Sequence, residues 1–275
     1  MENKKEKLVL SGARPFNAAL TLDCGQCFRW SETENGAWHG VAFGRSVDVT
    51  AENDTIVITG DVCADDEKLW RGYFDLDTDY ASICEMLKKD TSLNKAITAY
   101  PGIRILKQEP WETLCSFIIS QNNNIPRIKG IIERLCAQFG EKLPNGDFSF
   151  PCAELIAEKS VDDLSGLRAG FRAKYIIDAA KKVADGTVDL KAIETMPIEE
   201  ARLELQKISG VGPKVAECTL LYGFGRKEAF PVDVWVRRIM GELYPEGLPS
   251  FTAGVEGIAQ QYLFHWRRNV ENPFE

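Results

Sequence analysis

A glycine-rich reversal between two apolar stretches, at residues 203–222, fixes more of this chain's architecture than any other segment. Leu203 to Ile208 reads as the end of an apolar-periodic helix. Gly210-Val211-Gly212 cannot continue it, because glycine favours turn conformations. Pro213 suits the first turn of a new helix, where its missing N–H costs nothing. Val215, Ala216, Thr219 and Leu220 then form an apolar strip at i, i+1, i+4 and i+5. The expectation is a helical hairpin. The N–H groups of Gly210, Val211 and Gly212, at the positive end of the second helix, make a site for a phosphate oxygen. Glycines kept only for packing are the plainer alternative.

Lys214 lies in the first turn of that second helix. The helix dipole disfavours a second positive charge there, and a neutral amine is a nucleophile. From the residues alone, a solvated lysine touching a phosphate stays open. Phe230-Pro231-Val232-Asp233 then sets a carboxylate ahead of the apolar run Val234, Val236, Ile239 and Met240. Asp233 is an expected helix N-cap. A carboxylate held there can also stabilise an oxocarbenium-like sugar. Together these parts suggest chemistry at a sugar carbon.

Charge and cysteine usage narrow the class. The net charge of −8 is unusual for a nucleic-acid binder, but it is unevenly spread. Residues 166–182 hold Arg168, Arg172, Lys174, Lys181 and Lys182 against Asp178 alone. A local basic patch matters more to binding than total charge. There is no apolar run near 18 residues and no secretory start, so a cytoplasmic protein (nucleoid-associated in a bacterium) that spans no membrane is expected. The eight cysteines are then reduced thiols. Cys24-Gly-Gln-Cys27 has no second pair, and His39 and His265 are far apart in sequence. No metal site is expected.

Turn signals mark strands at 28–30, 37–43, 46–50 and 55–59. Helices are expected at 79–98, 111–121, 125–139, 153–159, 172–184, 198–208, 213–222, 233–243 and 251–267. The acidic run Asp65-Asp66-Glu67 reads as a solvated loop.

Five motifs together carry a resemblance. They are the hairpin with Lys214 and Pro231-Val232-Asp233, Gly25-Gln26-Cys27-Phe28-Arg29-Trp30, Ser120 to Ile128 with its Asn122-Asn123-Asn124 run, Gly170-Phe171-Arg172-Ala173-Lys174-Tyr175, and Ala259-Gln260-Gln261-Tyr262-Leu263-Phe264. The chain resembles, over about residues 10 to 268, the 8-oxoguanine DNA glycosylase/AP lyases of the helix-hairpin-helix (HhH-GPD) superfamily. The resemblance implies an α+β fold: an N-terminal antiparallel β-sheet with helices at 1–105, then a mostly α-helical glycosylase domain with a central cleft at 106–275. It implies that Lys214 is the Schiff-base nucleophile and Asp233 its electrostatic partner. Phe264 and Cys218 would clamp the flipped base, Gln260 would bond its Watson–Crick edge, and the Gly25 carbonyl would accept the N7–H that 8-oxoguanine has and guanine lacks. Asn122 would fill the gap in the duplex, Phe171 would wedge the kinked step, and Arg127 and Arg172 would read the orphaned cytosine.

The implied partner is double-stranded DNA holding an oxidised purine, opposite cytosine by preference, bound by a monomer. No cofactor is implied: no cysteine follows Cys218, which leaves nothing for a C-terminal iron–sulfur loop. A monovalent or divalent cation at the hairpin is the one ion the reading allows. Trp235 stands where many relatives have a phosphate-contacting histidine, Pro126 where they have alanine, and Cys27 where they have serine. Two other classes stay open: a monofunctional alkylbase glycosylase, which would lack the lysine, and a noncatalytic DNA-damage binding module.

Overall fold

A computed structural model describes residues 6–269. First come β1 (Glu6–Ser11), α1 (Ala18–Leu22), β2 (Trp30–Glu32), β3 (Trp38–Ala42), β4 (Arg45–Glu52) and β5 (Thr55–Gly60). They are followed by α2 (Glu67–Tyr73), α3 (Tyr80–Leu87), α4 (Thr91–Ala99), α5 (Pro110–Ser120), α6 (Ile125–Phe139), α7 (Ala153–Ala157), α8 (Arg172–Ala184) and α9 (Leu190–Ile193). The chain then runs through α10 (Ile198–Leu205), α11 (Pro213–Phe224), α12 (Val234–Leu243) and α13 (Glu256–Asn269). The class is α+β, an antiparallel sheet leading into helices.

The five strands pair antiparallel in the order β1-β5-β4-β3-β2. Alternation sets which face is buried: Val47, Val49, Ile56 and Ile58 point inward, with Val49 opposite Ile58 and Leu10 opposite Ile56. This face packs on Trp70, Tyr73 and Phe74. The Trp30 indole N–H donates to the Tyr73 hydroxyl at 2.7 Å, whereas the buried Trp70 indole N–H has no partner among the described residues.

Several local expectations are corrected. β1 was not among the expected strands, because its partner β5 lies some fifty residues on and no local signal reports that pairing. The acidic run opens α2 rather than forming a solvated loop: Asp66 is buried, accepting from Arg45 Nη1 at 2.7 Å and from the Cys63 amide at 2.8 Å. The helix expected over 79–98 is two, because the Asp90 side chain caps α4 by accepting from the amides of Ser92 and Leu93. The helix expected to reach residue 208 ends at Leu205, and α13 starts at Glu256 rather than 251.

Two cores result. One lies under the sheet. The other joins α3, α4, α5, α6, α8, α11 and α13. A cut in sequence at residue 105 leaves α3 and α4 on the sheet side, yet their side chains sit in the helical core. Two short segments tie the cores together. Leu22 and Cys27 face the sheet core while Cys24 and Phe28 face the helical one, and Leu106 and Ile105 divide in the same way. The turn at Gly25 is thereby fixed from both sides.

Six of the eight thiols are buried, and burial pushes the Cys24 thiol up to about 12. A thiol reagent at neutral pH is expected to modify Cys63 and Cys152 fast and the other six only on unfolding. Mass mapping of the labelled peptides checks this; early labelling of Cys24 or Cys27 would contradict the packing.

Candidate active site

Helix α11 organises the site. Its residues from Val215 to Phe224 are all buried, and it packs lengthwise on α5. A helix enclosed on so many sides has one rotation and one register. That rotation carries Lys214, at the exposed start of α11, over the last turn of α5. Lys214 Nζ donates to Ser120 Oγ at 3.2 Å and lies 4.9 Å from the centre of the Phe117 ring. The Cys218 thiol, one turn on, feels the charge of the same amine. Burial pushes that thiol up to about 11; the Lys214 charge opposes the shift and the Asp233 charge adds to it. Cys218 is therefore a neutral thiol at physiological pH.

Asp233 is the N-cap of α12, as expected, and its Oδ1 accepts from the Val236 amide at 2.8 Å. Its charge is also felt at Tyr222. The Tyr222 ring stacks on Phe117 with centroids 5.4 Å apart, and its hydroxyl donates to Gln261 Oε1 at 2.5 Å. Gln261 reaches the turn at Gly25 through the Cys24 carbonyl at 3.4 Å. The Gln26 amide is wholly buried and holds that turn by donating to the carbonyls of Thr21 and Arg104 and accepting from the Leu106 amide.

Gly25 has a left-handed φ of 89°, and Phe264 Cε1 lies 3.9 Å from where its Cβ would stand. Arg268 stacks on the Phe264 ring at 5.2 Å. Gln260, one helical turn before Phe264, is 4% exposed, and its Oε1 is buried with no hydrogen-bond partner. An orphaned buried acceptor costs about 1–3 kcal/mol.

The hairpin is seated on α8 by three side chains, each about one turn from the next. The Tyr175 ring lies beneath Gly210, Asp178 accepts from the Ser209 amide at 2.7 Å, and Lys182 donates to the Lys207 carbonyl at 2.7 Å. The Val211 N–H is not free, contrary to expectation: it donates to the Ile208 carbonyl at 3.0 Å and the side chain is buried. The amides left for an anion are those of Gly210 and Gly212 and of the first turn of α11.

Asn122 is exposed with a left-handed φ of 47°, which asparagine tolerates. Asn124 caps α6, accepting from the Arg127 amide at 3.0 Å. Arg127 itself is exposed. Arg172 departs from its expected role as a free base reader. It is 3% exposed, and its guanidinium donates to the carbonyls of Gln121, Asn122 and Ala169. Phe171, 47% exposed, lies 4.5 Å beneath that guanidinium. Arg172 thus ties the expected wedge to the expected plug. The basic patch at 166–182 shrinks accordingly, since Lys182 also pairs with Asp178 at 2.9 Å.

Comparison with known proteins decides the family. Residues 115–247 match the model of the HhH-GPD superfamily base excision DNA repair proteins, and residues 8–114 match that of the N-terminal domain of 8-oxoguanine DNA glycosylase. The chain belongs to the HhH-GPD superfamily. It is 35% identical over 250 residues to the N-glycosylase/DNA lyase of Saccharomyces cerevisiae, covering 80% of this chain and 66% of that one, just under two thirds of its length. The structure of MBOgg1 in complex with a low-affinity DNA ligand superposes with a TM-score of 0.90 at 42% identity, over 98% of this chain and 99% of that one. The Clostridium acetobutylicum 8-oxoguanine glycosylase/lyase, in complex with dsDNA containing cytosine opposite 8-oxoG, has a TM-score of 0.87 at 35% identity, over 96% and 97%.

In this HhH-GPD protein the motif residues gather into three groups: Lys214 with Cys218 and Asp233, Gly25 with Phe264, and Asn122 with Phe171, Arg172 and Arg127. Sequence reading missed what supports them. Ser120, Gln26 and Gln261 lie inside the quoted segments but have no role assigned there, and Phe117 carries no signal beyond its position on an apolar helix. Glu217 and Asp178 had one: an acid set among buried apolar neighbours.

The two hairpin glycines differ testably. Gly210 has a φ of 81°, and an added Cβ would stand 2.5 Å from the Tyr175 ring, whereas at Gly212 a Cβ meets nothing within 4 Å. Gly210→Ala should cost more than about 1 kcal/mol of stability and Gly212→Ala less than about 0.5. Thermal unfolding of both variants measures this; equal shifts would mean that the Tyr175 seat does not constrain the hairpin.

Proposed function

We propose that this protein is a bifunctional DNA glycosylase/AP lyase that excises 8-oxoguanine from duplex DNA, by preference opposite cytosine. The observation that carries the reading is the Lys214 amine and the Asp233 charge both acting on the Cys218 thiol at the start of a helix whose first-turn amides could take an anion. The relatives' names supply the substrate class: an N-glycosylase/DNA lyase in yeast and an 8-oxoguanine glycosylase/lyase in Clostridium acetobutylicum. The reading has the protein working as a monomer in the cytoplasm, with no cofactor, and with any hairpin cation shared with a DNA phosphate.

Amides at the hairpin grip the backbone, Phe171 wedges the step, and Asn122 fills the space left by the extruded nucleotide. The base stacks on Phe264 with Cys218 behind it. The orphaned Gln260 Oε1 accepts an N–H from the base edge, and the Gly25 carbonyl accepts N7–H. Lys214 Nζ, having given up a proton, attacks C1′. The bond to N9 breaks, and its electron pair leaves with the base, which takes a proton. Positive charge that develops on the sugar is stabilised by Asp233. The amine adduct opens to an iminium, and loss of a C2′ proton expels the 3′-phosphate. Because the Cys218 thiol stays neutral, it walls the pocket without competing as a nucleophile.

Borohydride trapping on an 8-oxoguanine duplex tests the reading. The unmodified protein should give a covalent adduct, and Lys214→Gln should lose both trapping and base release while DNA affinity is largely kept. Base release without an adduct would indicate the monofunctional class, and neither would indicate a binding module.

The two arginines should separate in single-turnover excision on four duplexes that differ only in the opposite base. Arg127→Ala should shrink the preference for cytosine by about 1–3 kcal/mol. Arg172→Ala, which also releases the Asn122 loop, should slow excision opposite every base. Equal rates on all four duplexes for the unmodified protein would sink the cytosine assignment.

A further inference from the structure

Glu217 is a buried carboxylate that the chemistry above does not use. It sits three residues after Lys214, 9% exposed, in a stretch of α11 that is otherwise almost wholly uncharged. Burying a carboxylate is costly unless donors surround it. Here they do. Arg202 of α10 donates to Glu217 Oε1 through Nε and reaches Oε2 through Nη2 at 3.5 Å. The Phe230 amide donates to the same Oε2 at 2.6 Å.

These bonds join three segments. Arg202 precedes the hairpin, Glu217 lies on the helix that carries Lys214, and Phe230 opens the Phe230-Pro231-Val232-Asp233 run. Pro231 stiffens that run, because its ring fixes φ. Its upstream end is pinned as well: Arg226 donates to the Met196 carbonyl at 2.9 Å, and the Lys227 carbonyl accepts from the Gly257 amide at 2.8 Å. With Phe230 anchored to α11, Asp233 is three residues from a fixed point on the same helix as Lys214. Three residues reach at most about 10 Å, so the anchor bounds where the carboxylate can stand relative to the amine.

We propose that Glu217 is a positioning residue for the excision step: through the Phe230 amide it holds Asp233 in register with Lys214. The proposal rests on the roles given to Lys214 and Asp233 above. It differs from a packing role, because the carboxylate should matter only while Asp233 is there to be positioned.

A double-mutant cycle tests this, using single-turnover excision at saturating enzyme, so that the rate constant does not depend on the active fraction. Glu217→Ala should lower the rate by about 30-fold, with the DNA dissociation constant within about 3-fold of the parent. Glu217→Gln keeps an oxygen acceptor for the Phe230 amide and should stay within about 3-fold. In the Asp233→Asn background, Glu217→Ala should cost less than about 5-fold. A cost of about 5-fold or more in that background overturns the proposal, as does a loss below about 5-fold in the parent, or a loss of affinity as large as the loss of rate. If Glu217→Ala does not fold, the pair Glu217→Met with Arg202→Met replaces the ion pair by apolar groups of similar volume and is read against the same limits. An Asp233→Asn protein as fast as the parent would fail the catalytic reading itself, and the proposal with it.

Discussion

The site depends on the burial of α11 against α5. A helix whose residues from Val215 to Phe224 are all enclosed has no freedom to roll, and the position of Lys214 follows from that packing rather than from any bond the amine makes. Ser120 and Phe117 meet the amine because they share a surface of α5 with the residues that hold α11. The same burial raises the Cys218 thiol and leaves it neutral beside the nucleophile. The tight interior that stabilises the domain therefore also supplies a dry, fixed setting for chemistry at one exposed helix end.

Charge is arranged on the same plan. The chain carries a net −8, yet many of its acids are committed to internal partners: Asp66 to Arg45, Asp178 to Lys182, Glu217 to Arg202 and Glu112 to Arg29. Burial is strong enough at Glu112 to push its carboxyl up to about 7 despite the neighbouring Arg29. By contrast, Arg127, Arg168 and Lys174 carry no ion pair among the described residues, and all lie on the segments proposed to meet DNA. On the proposed function a strand of phosphates would meet unpaired cations there.

Much of the site could be read from the chain because its chemistry is local. Gly210 to Lys214 encodes a turn and a helix start within five residues, and Asp233 with the apolar run after it encodes a cap. What could not be read was where long side chains spend their donors. Arg172 looked like a free cation beside an aromatic; its donors lie on three backbone carbonyls of two segments, about fifty residues apart in the case of Gln121 and Asn122. Val211 looked like a free amide, and a tight turn spends it on Ile208. In each case the deciding partner is set by tertiary closure or turn geometry, which side-chain type does not report.

By itself the sequence determined the runs of strand and helix, the helical hairpin and the cap at Asp233, because periodicity, glycine and proline placement, and capping are short-range properties of a chain; the α+β class and the residues proposed for chemistry came from the resemblance its motifs carry. Only the tertiary structure decided that β1 closes the sheet, that α3 and α4 belong to the helical core, that the orphaned Gln260 oxygen is sealed from other partners, and that Glu217 bridges to Phe230. Those outcomes turn on which surfaces exclude water together. That is a property of the packed whole, since a buried donor or acceptor takes whatever partner the closed core leaves within reach.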